Sequence, residues 1–177
     1  ITLDNLFIDI GAADRADAER QVQIGDFAVF DAPRFEQNGV LCGPYLDNRI
    51  GCVTLLLAME RLAQQEIEND LYFAFTGEGG LGGAGAAAFA VEPDIAVAVD
   101  VTDTGDLPER KTPMAVDMGR GPAVKVMDRS VICTPEVCAA LERAAAACGI
   151  DVQREILQFG GTDTAALQKT RAGVQAG

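Results

Sequence analysis

Four short apolar runs, punctuated by helical segments, do most to limit what this chain can become. LYFAF (71–75), IAVAVDV (95–101), AVKVMD (123–128) and VQREIL (152–157) are too short for helices and suit buried strands. Between and after them lie segments with helical character. Residues 48–65 space Ile50, Val53, Leu56, Leu57 and Met59 for one buried face. AGAAAFAV (84–91) is a small-residue helix broken by Glu92-Pro93-Asp94, and GGTDTAALQKT starts a last helix. TPEVCAALERAAAACG carries Thr134 as N-cap, Pro135 as first helical residue and Gly149 as C-cap glycine. Such β/α alternation predicts an α/β fold, a mainly parallel sheet covered by helices on both faces. A loop rich in Asp, Gly and Pro spans 103–113.

The first forty residues have a different rhythm. LFIDI and QIGDFAVFD read as strands, ADRADAERQV as a short amphipathic helix, and Gln37-Asn38-Gly39 as a hairpin-type turn. With no long helical period, 1–41 is expected to form part of a small β-domain, and 42–177 part of an α/β domain. The chain opens at Ile1 and stops at Gly177 just after RAGV, so both ends look like cuts through a longer protein.

Charge and cysteine usage narrow the function. Twenty-seven acidic residues against fourteen basic ones give a net charge of -13. That argues against a nucleic-acid partner, which needs Lys and Arg to neutralise phosphates. It suits either a solvated acidic surface or attraction of cationic groups and metals. No apolar run reaches the length of a membrane-spanning helix. Five cysteines, none in CxxC spacing, point to reduced thiols in a cytoplasmic protein, and no signal peptide contradicts this. Histidine is absent, which removes the commonest general base and transition-metal ligand.

The glycine cluster after LYFAF admits several readings. Gly77, Gly79 and Gly82 satisfy G-x-G-x-x-G between a strand and a helix, with Asp100 near where a ribose-binding acid would sit. Against a dinucleotide-binding oxidoreductase stand Glu78, whose charge would repel a pyrophosphate, and the seventy residues that precede the motif. Small residues that let a helix pack closely on a sheet are a second reading. In the third, Asp47, Glu78 and Asp100, each at the end of a separate element, converge beyond the strand ends. Like charges brought together need a cation, so convergence predicts a metal. Taken singly, each acid could equally be a cap or loop residue.

Further segments sharpen the choice. LFIDIGA, VQIGDFAVFD, YLDNRIG, GLGGAGAAAF, EPDIAVAVDVTDTGDLP, GPAVKVMDRSVI, GGTDTAAL and TRAGV, in that order, resemble the tetrahedral aminopeptidase family. These are di-metal glutamyl and deblocking aminopeptidases, some labelled endoglucanase or cellulase. The resemblance implies a zinc-peptidase-like α/β catalytic domain with a small β-barrel assembly domain inserted into it, and residues 1–41 are similar to the end of that insert. It implies two divalent ions, Zn or Co, with Asp47 as bridging ligand, Glu78 on one ion and Asp100 on the other. Each ion takes a further histidine in the family, and both fall outside the matched segments. The family also implies peptide substrates and a homo-oligomer, a dodecamer in full-length relatives. One departure stands out. The family usually has two adjacent glutamates, a general base and then a ligand; here Gly77 occupies the base position. That leaves open a catalytically inactive relative with a scaffolding or regulatory role. Arg129 in MDRSV and Asp163 in GGTD, on loops near strand ends, are candidate substrate-binding residues, and otherwise brace their loops.

Overall fold

The computed structural model describes residues 2–77, 82–106, 108 and 113–177. They divide into two compact units, Ile1–Pro44 and Tyr45–Gly177, each described by itself.

The first unit holds helix α1 (Arg15–Gln21) and a hairpin of β1 (Phe35–Gln37) and β2 (Val40–Cys42). Asp14 caps α1 by accepting from the Asp17 amide at 2.8 Å. Pairing of Gln37 with Val40 leaves Asn38-Gly39 as a two-residue loop, both with positive φ (53° and 76°). That is the type I′ turn which the Asn-Gly pair favours, because its twist matches the flanking strands. LFIDI and QIGDFAVFD form no ladder among the described residues, contrary to the strand expectation. A ladder needs a partner strand as well as propensity, and Phe7, Ile24, Phe27 and Phe30 of these runs lie exposed.

In the second unit helix α2 (Leu46–Leu62) is followed by α3 (Gly83–Val91), β3 (Ile95–Ala96), β4 (Ala123–Met127) and α4 (Pro135–Ala147). Strand β5 (Gln153–Ile156), helix α5 (Thr164–Gln168) and β6 (Gln175–Ala176) complete it. The strand pairs β3–β6 and β4–β5 are both parallel. The described ladder in IAVAVDV covers only its first two residues, and LYFAF has none. Among the described residues, the buried apolar core is small and sits where α4 lies on β4 and α3 on α5. Ala84 and Ala88, Val124, Val137 and the fully enclosed Ala176 belong to it. On α2 the expected buried face is exposed at Ile50, Val53, Leu56, Leu57 and Met59, and Gly51 is its buried residue. No described helix is long and apolar enough to cross a membrane.

Helix α4 shows how local sequence sets its ends. Pro135 opens it, since a first-turn residue has no helical use for the missing N–H. Thr134 stands at the N-cap, but its hydroxyl does not cap: it accepts from the Ala176 amide at 3.0 Å and so fastens β6 to the start of α4. At the other end Gly149 (φ +66°) donates to Ala146 and Ile150 to Ala145, at 3.1 and 2.9 Å. This is a Schellman closure, and it requires a left-handed residue just past the helix. Gly149→Ala is therefore expected to destabilise the protein by about 1–2 kcal/mol, the penalty for an L side chain in that conformation. A lowered urea midpoint with unchanged slope is the check.

Candidate functional site

The first turn of α2 carries Asp47, and its chain path there is not helical: Asp47 has ψ 114° and Asn48 φ -112°. The Asp47–Asn48 peptide is cis. Asn48 turns its side chain inward, where Nδ2 donates to the Val99 carbonyl at 2.8 Å and Oδ1 accepts from the Gly51 amide at 3.1 Å. A Cβ on Gly51 would overlap Asn48 Oδ1, so the glycine makes room for this inward turn. The sequence DNRIG thus acts as a unit. Its first residue supplies a carboxylate, its second ties that carboxylate to the segment that ends in Asp100, and its last leaves space.

Asp100 is solvent-accessible on one side and backed by protein on the other. Desolvation is the largest influence on its carboxyl and pushes the pKa upward; the charges of Asp47 and Asp163 add to the push. A hydrogen bond from the Val101 amide and the charge of Lys125 oppose it without prevailing. Asp47 and Asp163 therefore each act on Asp100 electrostatically, and Asp47 and Asp100 both remain exposed. Glu78 lies outside the described residues. Among the described residues no three acids, cysteines or histidines stand close enough to hold a metal ion. The charges of Asp47 and Asp163 each act on the Asp100 carboxylate, a repulsion of the kind that a divalent cation relieves.

Arg129 is exposed just past the end of β4 and makes no ion pair among the described residues. Asp163 is half-buried at the start of α5. Gly77 has an ordinary φ, and nothing described lies within 4 Å of where its Cβ would be. Gly83, by contrast, is packed so closely on Thr76 that a Cβ would lie 2.7 Å from the Thr76 Cβ. At least that glycine of the cluster serves helix packing. Of the candidate residues, Asp47 and Asp163 each act electrostatically on Asp100 without forming a metal-sized cluster, and Arg129 stands on the loop after β4.

Residues not singled out from the sequence support this corner. Lys125 and Glu155 face each other across the parallel β4–β5 register and form an ion pair, their side chains only 12% and 3% exposed. The same Glu155 oxygen accepts from the Thr102 hydroxyl at 2.6 Å, which anchors the segment just after Asp100 to the β4–β5 pair. The readable signal is a pair of opposite charges, Lys125 inside AVKVMD and Glu155 inside VQREIL. All five cysteines are free thiols. Burial pushes Cys133 up to about 11, so it is protonated and unreactive near neutral pH.

The chain belongs to the M42 glutamyl aminopeptidase family, whose profile matches residues 1–177. A curated relative from Acetivibrio thermocellus, provisionally named an aminopeptidase, is 46% identical over 100% of this chain and 53% of its own length. The solved aminopeptidase of the archaeon Desulfurococcus kamchatkensis superimposes with TM-score 0.87 at 32% identity, covering 95% of this chain and 49% of the other. The Pyrococcus horikoshii TET1 peptidase, which can assemble into a tetrahedron or a large octahedral shell, gives TM-score 0.78 at 33% identity over 95% and 50%. The chain thus spans about half the length of the relatives it matches.

The buried Lys125–Glu155 pair generates a stability prediction. Lys125→Met leaves an unpaired buried carboxylate and should cost about 3–5 kcal/mol, whereas Lys125→Met with Glu155→Leu should recover most of the loss. Chemical denaturation of the two variants compares them directly.

Proposed function

We propose that the protein carrying these residues is a two-metal aminopeptidase that removes residues from peptide N-termini. In this reading Asp47 would be a ligand shared by two divalent ions, zinc or cobalt, and Glu78 and Asp100 would each be a ligand of one of them. The observation that supports it most is the Asn48–Val99 hydrogen bond, which joins the residue after Asp47 to the residue before Asp100. The upward push on Asp100 from Asp47 and Asp163 supports the same reading, because crowded carboxylates favour a cation.

When bound, such ions supply Lewis-acid polarisation of a carbonyl and lower the pKa of water to about 7. The chain's own residues provide binding and orientation. Asp163, beside Asp100, accepts from the substrate's terminal ammonium, and the net charge of -13 favours the approach of cationic termini. Arg129, exposed after β4, donates to substrate carbonyl or carboxylate oxygens. Gly77 has no side chain to take a proton, so turnover is slow. This same feature favours a second reading, an inactive relative with a scaffolding or regulatory role. The first unit contributes to assembly into a homo-oligomer, and the protein acts in the cytoplasm.

The test uses the protein with whatever sequence flanks these residues in its gene. Two divalent ions per chain by elemental analysis, together with slow hydrolysis of aminoacyl-p-nitroanilides, are the expected results. Absence of metal uptake would reject the reading. Because nothing described lies within 4 Å of the Gly77 Cβ, Gly77→Glu is the chosen variant and should raise kcat by about 10²–10⁴, the usual worth of a positioned acid–base group. A metal-loaded Gly77→Glu protein that stays silent would favour the scaffolding role.

A further inference from the structure

Asp128 is the last residue of the AVKVMD run, 3% exposed, and it belongs to neither candidate set above. Its Oδ1 accepts from the Ser130 amide and the Ser130 hydroxyl, both at 2.7 Å, and from the Val131 amide at 3.1 Å. Its Oδ2 accepts from the Thr162 hydroxyl at 2.9 Å. One carboxylate therefore closes the loop after β4 on itself and joins it to the loop before α5. Arg129 lies between Asp128 itself and Ser130, which this carboxylate holds. Asp163 directly follows the residue it holds in the second.

A second contact brings the same loops together. A Cβ on Gly161 would stand 2.7 Å from Ser130 Oγ and 3.1 Å from Ser130 Cβ, so the backbone at 161 approaches Ser130 as only glycine allows. The Leu157 amide also donates to the Met127 carbonyl at 3.0 Å at the root of both loops. Burial alone would raise the Asp128 carboxyl, but the bonds from Ser130 and Thr162, with the charge of Lys125, hold it below the usual carboxylate range. It is ionised at neutral pH and acts purely as an acceptor.

From this geometry we infer that Asp128 is a positioning residue, a clasp that sets the Arg129 loop and the Asp163 loop at a fixed spacing for substrate. The inference rests on the proposed assignment of Arg129 and Asp163 to substrate, and the mutant that tests it leaves both in place. Asp128→Asn disturbs several bonds at once and threatens folding, so Thr162→Val, nearly isosteric, is the sharper probe. Thr162→Ser, which keeps the hydroxyl, is its rescue.

Amide hydrogen exchange without substrate reads the clasp itself. In Thr162→Val, exchange at 128–131 and at 160–163 should rise together, by about tenfold, and return in Thr162→Ser. A rise confined to one loop overturns the clasp. In the metal-loaded protein, Thr162→Val should raise KM for aminoacyl-p-nitroanilides about tenfold with kcat and metal content little changed, the signature of lost uniform binding. Coupled exchange with unaltered KM overturns the positioning role. Loss of metal in Thr162→Val also overturns it, since the clasp would then serve the metal site. A wild-type protein that binds metal but cleaves nothing counts against the proposed activity, and the exchange result alone then decides the clasp.

Discussion

A single side-chain amide, Asn48 on the carbonyl of Val99, is the interaction on which the rest of the site depends. It joins positions 51 residues apart and brings a helix start against the segment that follows β3. Neither acid beside it would choose the other's company in water. Asp47 and Asp100 repel, and the protein holds them near by a neutral hydrogen bond in which neither carboxylate takes part. Such an arrangement separates two jobs that acidic sites often combine. The bond fixes the approach of the backbones, and the carboxylates stay solvent-accessible, with their lone pairs available to a cation.

Around this joint the structure uses two buried carboxylates as ties. Glu155 holds the stretch after Asp100 to the β4–β5 pair through Thr102, and Asp128 gathers the loops beyond that pair. They solve the desolvation problem differently. Glu155 meets a cation, Lys125, directly across the strand register. Asp128 meets hydroxyls and amides from its own loop and the next, with Lys125 only a background charge. Asp128 accepts on both oxygens and Glu155 takes its two partners on one, so neither carboxylate is buried without hydrogen bonds.

How far the sequence disclosed all this varies by element. The type I′ hairpin at Asn38-Gly39 and the glycine stop of α4 were legible because local backbone sterics decide them. The family match, too, was carried by short segments spread over the chain. Strand ladders were less legible, since FAVF or LYFAF states only a preference and a ladder needs a neighbour at the right distance. Thr134 illustrates the limit at a single residue: its position was foreseen, but its hydroxyl went to Ala176 rather than to the helix it precedes. Asp128 was missed although an acid at a strand end with serine two residues on is an Asx-turn signal. Arg129 and Asp163 drew attention because they sit on loops near expected strand ends, whereas Asp128 works from inside.

The uncovered side of α2 has a practical consequence. Five large apolar residues line it, from Ile50 to Met59, each more than a third exposed. In water a stripe of that kind promotes clumping, because every copy offers the same sticky surface. Anyone preparing these 177 residues in isolation should expect poor solubility unless the stripe is repainted with charge. Substituting lysine or glutamate there would leave untouched the Asn48 end of the helix, where the chemistry is prepared.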